Sequence, residues 1–184
     1  LMVSGHSNSL AALLEILSYI RQHKGVGKVM MNAKDTDIPE IAETAHLIVT
    51  PTEAVIKSHE KMRLGVVGMP SDWLISSGVN YADVLKKMNI ELVDIPISEM
   101  TSLGEVDPGM KGAEAIYARL KELVTKNNLQ GVTLRCFDLL TTVKNTGCIA
   151  LSKLNDEGIP ASCEGDIPTL LTMMVCKRLT GELC

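Results

Sequence analysis

Short apolar runs and amphipathic segments alternate along the chain from residue 62 to the end. The apolar runs are each four to eight residues long, which is typical of buried strands, and comprise residues 64–68, 90–97, 131–136 and 160–163. The segments with helical spacing of apolar residues are 81–88, 113–124, 140–157 and 167–180. Strand and helix therefore alternate four times, which predicts an α/β fold with a parallel, Rossmann-like sheet covered by helices on both faces.

The first sixty residues carry a shorter version of the same pattern. Apolar residues between Leu10 and Ile20 follow a helical period, and residues 29–31 and 47–49 are short strand candidates. A short helix is predicted within 35–45, and another from Pro51 to about Met62. We place a domain boundary near residue 61, which divides the chain into two consecutive α/β units, 1–61 and 62–184.

Charge and composition exclude several classes of function. The net charge of -4 comes without a basic stripe interleaved with aromatic residues, so nucleic acid is not an expected partner. The apolar stretches are much shorter than the roughly 20 residues of a membrane span, so no membrane partner is expected either. Five cysteines, an odd number with no C-x-x-C pair, indicate reduced thiols and a cytoplasmic location.

The carboxyl ends of the predicted strands are where a doubly wound sheet binds ligands. Glu164 lies at such an end, between the last strand and the last helix. Its carboxylate can face the positive end of the helix, and an ionised carboxylate there can hold a divalent cation through oxygen. The alternative is that Glu164 and Asp166 only cap the helix, and Asp166 is a good N-cap residue type in either case.

Two further residues at strand ends could touch a ligand. Trp73 is the one tryptophan of the chain, and an indole can stack on the apolar face of a sugar ring. Its alternative role is that of a core or interface anchor. Cys136 follows another strand, where a buried and inert cysteine is the alternative. No dinucleotide-binding G-x-G-x-x-G after a strand, no Walker sequence and no G-x-S-x-G elbow occurs.

Several stretches resemble the L-fucose isomerase-like sugar isomerases, the group that includes L-arabinose isomerases. They are residues 8–16 (NSLAALLEI), 65–75 (GVVGMPSDWLI), 133–138 (TLRCFD), 147–152 (GCIALS), 154–159 (LNDEGI) and 161–167 (ASCEGDI). The last of these, together with the Leu-Thr-Gly of residues 179–181, is the most specific part of the resemblance.

The resemblance implies a metal-dependent aldose–ketose isomerase that acts through an enediol. A divalent cation, usually Mn²⁺, polarises the sugar carbonyl, and two carboxylates hold the metal and move the proton. Glu164 matches the first carboxylate and is the expected catalytic and metal-binding residue, with Asp166 supporting it. Trp73 and Cys136 are the expected sugar-binding residues. A small sugar is the expected ligand, and a homo-oligomer is expected because family members form multimers.

The same resemblance predicts that this chain is a fragment. Residues 1–61 would be the C-terminal half of a first domain, and residues 62–184 the second domain. The second carboxylate and a metal-binding histidine of the family would lie beyond Cys184, so the chain alone is expected to be inactive. The alternative is a non-enzymatic sugar-binding or oligomerisation module of the same fold.

Overall fold

The computed structural model describes residues 2–3, 9–25, 30–31 and 60–181. The chain forms two compact units, one from Leu1–Ala54 with Trp73–Ser76 and the other from Val55–Asp72 with Ser77–Cys184. The helix predicted within 35–45 and the strand predicted at 47–49 lie outside the described residues. The domain boundary near residue 61 stays a prediction.

The first unit contains a small parallel strand pair. Its described elements are strand β1 (Met2–Val3), helix α1 (Ser9–Gln22) and strand β2 (Met30–Met31). Met2 pairs with Met30 in parallel register. The backbone of Ser76 is tied to α1 at two points, because its N–H donates to Oε1 of Glu15 at 2.5 Å and its carbonyl accepts from Gln22 at 3.1 Å.

A four-stranded parallel sheet forms the second unit. Its strands are β3 (Met62–Val67), β4 (Ile90–Ile95), β5 (Gly131–Leu134) and β6 (Ala161–Cys163), in the order β4-β3-β5-β6. Leu64 pairs with Leu92 on one side and with Gly131 on the other. The α/β class and the parallel sheet predicted from the sequence are therefore confirmed.

Helices follow the strands in the predicted alternation. They are α2 (Tyr81–Met88), α3 (Ser98–Thr101), α4 (Met110–Lys126), α5 (Asp138–Thr142), α6 (Cys148–Asp156) and α7 (Ile167–Thr180). The bounds of α2 match the prediction because both ends have strong signals. Asn80 accepts a hydrogen bond from the N–H of Asp83 at 3.0 Å, and Asn89 ends the helix in the left-handed conformation with φ 54°.

The two faces of this sheet pack against different helices. Leu64 and Leu92 point to one face and contact a cluster with side chains of α2 and α7. Val67 and Ile95 point to the other face, in a cluster with side chains of α4 and α6. Because side chains alternate along a strand, β3 and β4 place apolar side chains on both faces, which fits a sheet covered on both sides. None of the described helices is long and apolar enough to cross a membrane.

The single helix predicted over 140–157 is wrong, because the chain breaks it into α5 and α6. Val143 is buried, and Lys144 then takes the left-handed conformation with φ 60°. The side chain of Asn145 donates to the carbonyl of Gly109 at 3.1 Å, which draws the chain away from a helical path. Gly147 then passes so close to Leu134 that a Cβ would lie 2.5 Å from its side chain.

Strand ends differ from the prediction by a few residues. The strand predicted over 90–97 ends at Ile95, and the one predicted over 131–136 ends at Leu134. After Ile95 the chain turns into α3, which the sequence pattern did not predict, and Glu99 N–H donates to the carbonyl of Pro96 at 3.0 Å. Met62 begins β3, so the helix predicted to run to about Met62 does not extend that far.

We expect Leu120→Ala in α4 to lower the free energy of unfolding by about 2–5 kcal/mol, since its side chain is fully buried in the core between α4 and the sheet. The matched control is Leu85→Ala in α2, whose side chain is 42% exposed and whose loss should remain below about 1 kcal/mol. Urea denaturation followed by circular dichroism measures both. Equal losses for the two variants would contradict the described packing.

Candidate functional site

The loops that follow the strands of the large sheet pack against one another at its carboxyl edge. Gly68 follows β3 with φ +91°, and a Cβ there would lie 2.9 Å from Cβ of Arg135 and 3.0 Å from Cδ1 of Ile97. The N–H of Arg135 donates to the carbonyl of Val67 at 2.9 Å. The loops after β3, β4 and β5 therefore meet around a glycine that no larger residue could replace without displacement.

The turn between β6 and α7 packs backbone to backbone on the loop after β3. Gly165 has φ +65°, and a Cβ there would lie 2.6 Å from the carbonyl oxygen of Met69 and 3.1 Å from the amide nitrogen of Ser71. Backbone atoms cannot rotate away as a side chain can. Both the left-handed conformation and the close approach therefore require glycine at this position.

A buried hydroxyl fixes the same turn. The side chain of Ser71 donates a hydrogen bond to the backbone carbonyl of Glu164, and the side chain of Ser77 donates to the carbonyl of Ser71 at 2.7 Å. Ser71 and Ser77 are both buried, so their hydroxyls need these partners. The two serines thereby hold the backbone of Glu164 against the loop after β3.

Glu164 is half-buried and has φ 61°, a left-handed conformation that is unusual for a residue with a side chain. Among the described residues, its carboxylate forms no hydrogen bond or ion pair. Backbone strain at a residue with an unpaired charged group is a feature of functional sites. The catalytic and metal-binding roles of Glu164 stay predictions.

Asp166 is the N-cap of α7, as its residue type predicts. Its carboxylate accepts from the N–H of Thr169 at 3.0 Å and from the hydroxyl of Thr169 at 2.6 Å. Pro168 occupies the first turn of this helix, where a missing N–H has no consequence. Both oxygens of Asp166 are thus used within the helix start, whereas Glu164 does not share the capping role.

Arg135 links two of the edge loops. Its guanidinium contacts Asp138 at 3.1 Å and Asp72 at 3.1 Å, and its side chain is largely buried. Asp72 itself is well exposed, so this ion pair contributes little to stability. Because Arg135 carries one positive charge and its two aspartate partners carry two negative charges, this group of three side chains is negatively charged overall.

Cys136 and Cys163 form a thiol pair at the ends of β5 and β6. Their sulfur atoms lie 2.7 Å apart. The hydrogen bond from Cys163 lowers the pKa of Cys136 to about 7, and one from the backbone N–H of Glu164 acts in the same direction. The same thiol contact and burial raise the pKa of Cys163. Cys136 is only 1% exposed, and its predicted contact with a sugar stays a prediction.

Trp73 lies in the segment that belongs to the first unit, and its side chain is 45% exposed. Trp73 and Glu164 belong to different units, so their separation does not test whether both contact one sugar. The sugar-stacking role of Trp73 stays a prediction.

The described residues do not by themselves form a divalent-cation site. Within 60–181 and the shorter described segments, no group of three His, Cys, Asp or Glu side chains has the spacing of metal ligands. Hard cations such as Mg²⁺ and Ca²⁺ take about six or more oxygen ligands. Glu164 alone offers one carboxylate, so the described part of the chain does not fit the manganese that the resemblance implies.

Sequence reasoning missed three contributors to this edge: Ser71, Cys163 and the close approach of Gly165. Cys163 and Gly165 flank Glu164 in the sequence, but the partners that define their roles lie 27 and about 95 residues away. No local signal could have identified Ser71, because its hydroxyl is defined by a contact with Glu164, 93 residues further along.

The fold and the edge loops define an α/β protein that has, at the carboxyl edge of a parallel sheet, a carboxylate without a partner among the described residues. No model of a known protein family matches the sequence. No solved protein structure matches it either.

Comparison with curated proteins gives a more specific similarity. Sulfoquinovose isomerases of Priestia aryabhattai and Priestia megaterium are each 26% identical to the chain, over 69% of this chain and 34% of the relative. The sulfoquinovose isomerase of Alkalicoccus urumqiensis is 24% identical, over 54% of this chain and 23% of the relative. The chain is thus similar to sugar isomerases but spans about a third or less of their length. The narrower resemblance to L-fucose and L-arabinose isomerases stays a prediction.

Gly165→Ala should lower the free energy of unfolding by about 2–5 kcal/mol, from left-handed strain together with overlap against the carbonyl of Met69. Gly158→Ala is the matched control, because Gly158 has φ +78° but open space around a Cβ. Gly158→Ala should lower the free energy of unfolding by only about 1–2 kcal/mol. Chemical denaturation measures this free energy for both variants, and the difference between them reports the steric overlap at residue 165. Equal decreases would argue against the close packing of the turn.

Glu164→Gly should raise the free energy of unfolding by about 1 kcal/mol, because glycine adopts the left-handed conformation without strain. Glu122→Gly, within helix α4, should instead lower it by about 1 kcal/mol. Thermal and urea unfolding curves measure both. A destabilised Glu164→Gly variant would contradict this expectation, because it would show that the Glu164 side chain contributes to folding.

Proposed function

We propose that this chain is part of a sugar isomerase that interconverts an aldose and a ketose, with Glu164 as the group that moves the proton. The proposal is carried by the Glu164 carboxylate, which has no partner among the described residues and lies, on a strained backbone, at the carboxyl edge of a parallel sheet, where open α/β sheets generally bind ligands. The similarity to sulfoquinovose isomerases supports the reaction class.

In the proposed reaction the Glu164 carboxylate acts first as a base. It removes the proton from C2 of the open-chain aldose; the C–H electron pair forms the C1–C2 double bond, and O1 takes a proton from water, which gives an enediol. The carboxylic acid then returns the proton to C1 while O2 gives its own proton back to the solvent, so that a ketose is formed. No atom is gained or lost overall.

The surrounding loops fix the backbone of Glu164. Ser71 holds the carbonyl of Glu164, and the next residue, Gly165, packs against the carbonyl of Met69. A base on a fixed backbone has only its side chain to order when it meets the substrate, which favours proton transfer. A divalent cation would polarise the sugar carbonyl, but its remaining ligands would have to come from outside the described residues.

The proposed substrate is an aldose, and sulfoquinovose is the first to assay because the relatives are named for it. L-fucose and L-arabinose follow, on the resemblance of the sequence motifs. We expect the protein at its natural length to turn over one of these sugars. We expect the 184-residue chain alone to be inactive. Turnover by this chain alone would contradict that second expectation.

Glu164→Gln, in the protein at its natural length, should reduce isomerisation by at least about 10²-fold, because the amide cannot accept the proton. The assay is proton NMR in D₂O, which follows both ketose formation and deuterium incorporation at the carbon next to the carbonyl. Glu122→Gln is the matched control, since Glu122 lies on helix α4 with its side chain 59% exposed. Its rate should match the wild type.

Two results would count against the proposal. Unchanged deuterium incorporation in Glu164→Gln would assign proton transfer to another group. Loss of activity in Glu164→Gln and Glu122→Gln alike would point to a general effect of charge or folding. Circular dichroism of both variants excludes misfolding as the cause.

A further inference from the structure

Cys136 and Cys163 approach each other across two neighbouring strands. Cys163 is the last residue of β6 and pairs in register with Leu134, and Cys136 follows Leu134 by two residues. Cys136 lies in the core cluster, whereas Cys163 is only partly buried against it. One member of the pair is therefore shielded, and the other can be reached from solvent.

The separation of the two sulfurs is close to that of a bonded pair. They are 2.7 Å apart, whereas a disulfide bond is about 2.05 Å long. Closing this gap requires a shift of less than an ångström, which side-chain rotation can supply.

We propose that Cys136 and Cys163 form a reversible modification site that a small-molecule disulfide of the glutathione type oxidises to an intramolecular disulfide. The proposal stands on the geometry of the pair and is independent of the proposed isomerase activity.

The exchange proceeds in two balanced steps. Cys136 first gives up its proton to solvent; Cys163 then passes its own proton to the adjacent Cys136 sulfur and attacks one sulfur of the small disulfide, which breaks its S–S bond, forms a mixed disulfide and releases one small thiolate. Cys136 next passes the proton to that small thiolate, attacks the Cys163 sulfur and releases the second small thiolate, which takes a proton from solvent. The two protein thiols are oxidised, the small disulfide is reduced to two thiols, and the two protons pass to those thiols.

The adjacent pair differs from Cys148, a further free thiol that is exposed. Among the described residues no hydrogen bond joins Cys148 to another sulfur, whereas one joins Cys136 to Cys163. We expect Cys148 to retain a small-thiol adduct or remain reduced, whereas the pair closes.

Peptide mapping can identify the product directly. Trypsin places Cys136 in residues 136–144, Cys148 in 145–153, and both Cys163 and Cys176 in 154–177. Cys176→Ser makes Cys163 the only cysteine of its peptide. The reduced 184-residue Cys176→Ser chain is incubated with glutathione disulfide at several ratios to glutathione, quenched with iodoacetamide, digested without reductant and analysed by mass spectrometry.

The expected product is a crosslinked species that joins peptides 136–144 and 154–177 and disappears on treatment with dithiothreitol. In a variant that also carries Cys136→Ser, the attacking partner is missing. Cys163 should then accumulate the glutathione adduct, at least about ten-fold above its level with Cys136 present.

Oxidation confined to Cys148 or Cys184, with the pair still alkylated, would overturn the proposal. A glutathione adduct on Cys163 that persists equally with and without Cys136 would also overturn it, since the second step would then not occur. If Cys136→Ser lowers stability, Cys136→Ala provides the same comparison without a polar group in the core. Near-ultraviolet circular dichroism checks that each chain is folded before oxidation.

Discussion

The packing of the turn after β6 on the loop after β3 is the contact on which the candidate site depends. Gly165 places its Cα against the backbone of Met69 and Ser71, and the Ser71 hydroxyl closes the contact on the carbonyl of Glu164. The contact joins strands β3 and β6, which lie on either side of β5 in the sheet. Any change that loosens it would move Glu164 and Cys163 together.

Parallel strands explain why chemically useful groups collect at this edge. All four strands of the large sheet end on the same side, so loops that are far apart in sequence meet there. The result is a half-buried carboxylate, a guanidinium between two aspartates and a thiol pair. Asp166 is occupied in capping α7, whereas the carboxylate of Glu164 has no partner among the described residues.

The sequence predicts elements whose ends carry local signals and misses features defined by distant contacts. Helix α2 is predicted with its observed bounds because Asn80 and Asn89 mark its ends, and Asp166 marks the start of α7. The break between α5 and α6 depends on Asn145 reaching the Gly109 carbonyl and on Gly147 meeting Leu134. The position of Glu164 at the edge of the sheet can be predicted from the alternation of strands and helices along the sequence. The pairing of Cys136 with Cys163 depends on the order of the strands in the sheet, which the sequence pattern does not specify.

The most direct measurement is a crystal structure of the protein at its natural length with a bound pentitol, an open-chain analogue of the enediol. We predict two adjacent hydroxyls of the pentitol within about 3 Å of the Glu164 carboxylate, with Glu164 still in the left-handed conformation. A pentitol bound elsewhere, or a Glu164 carboxylate bonded only to backbone amides of its own turn, would contradict it.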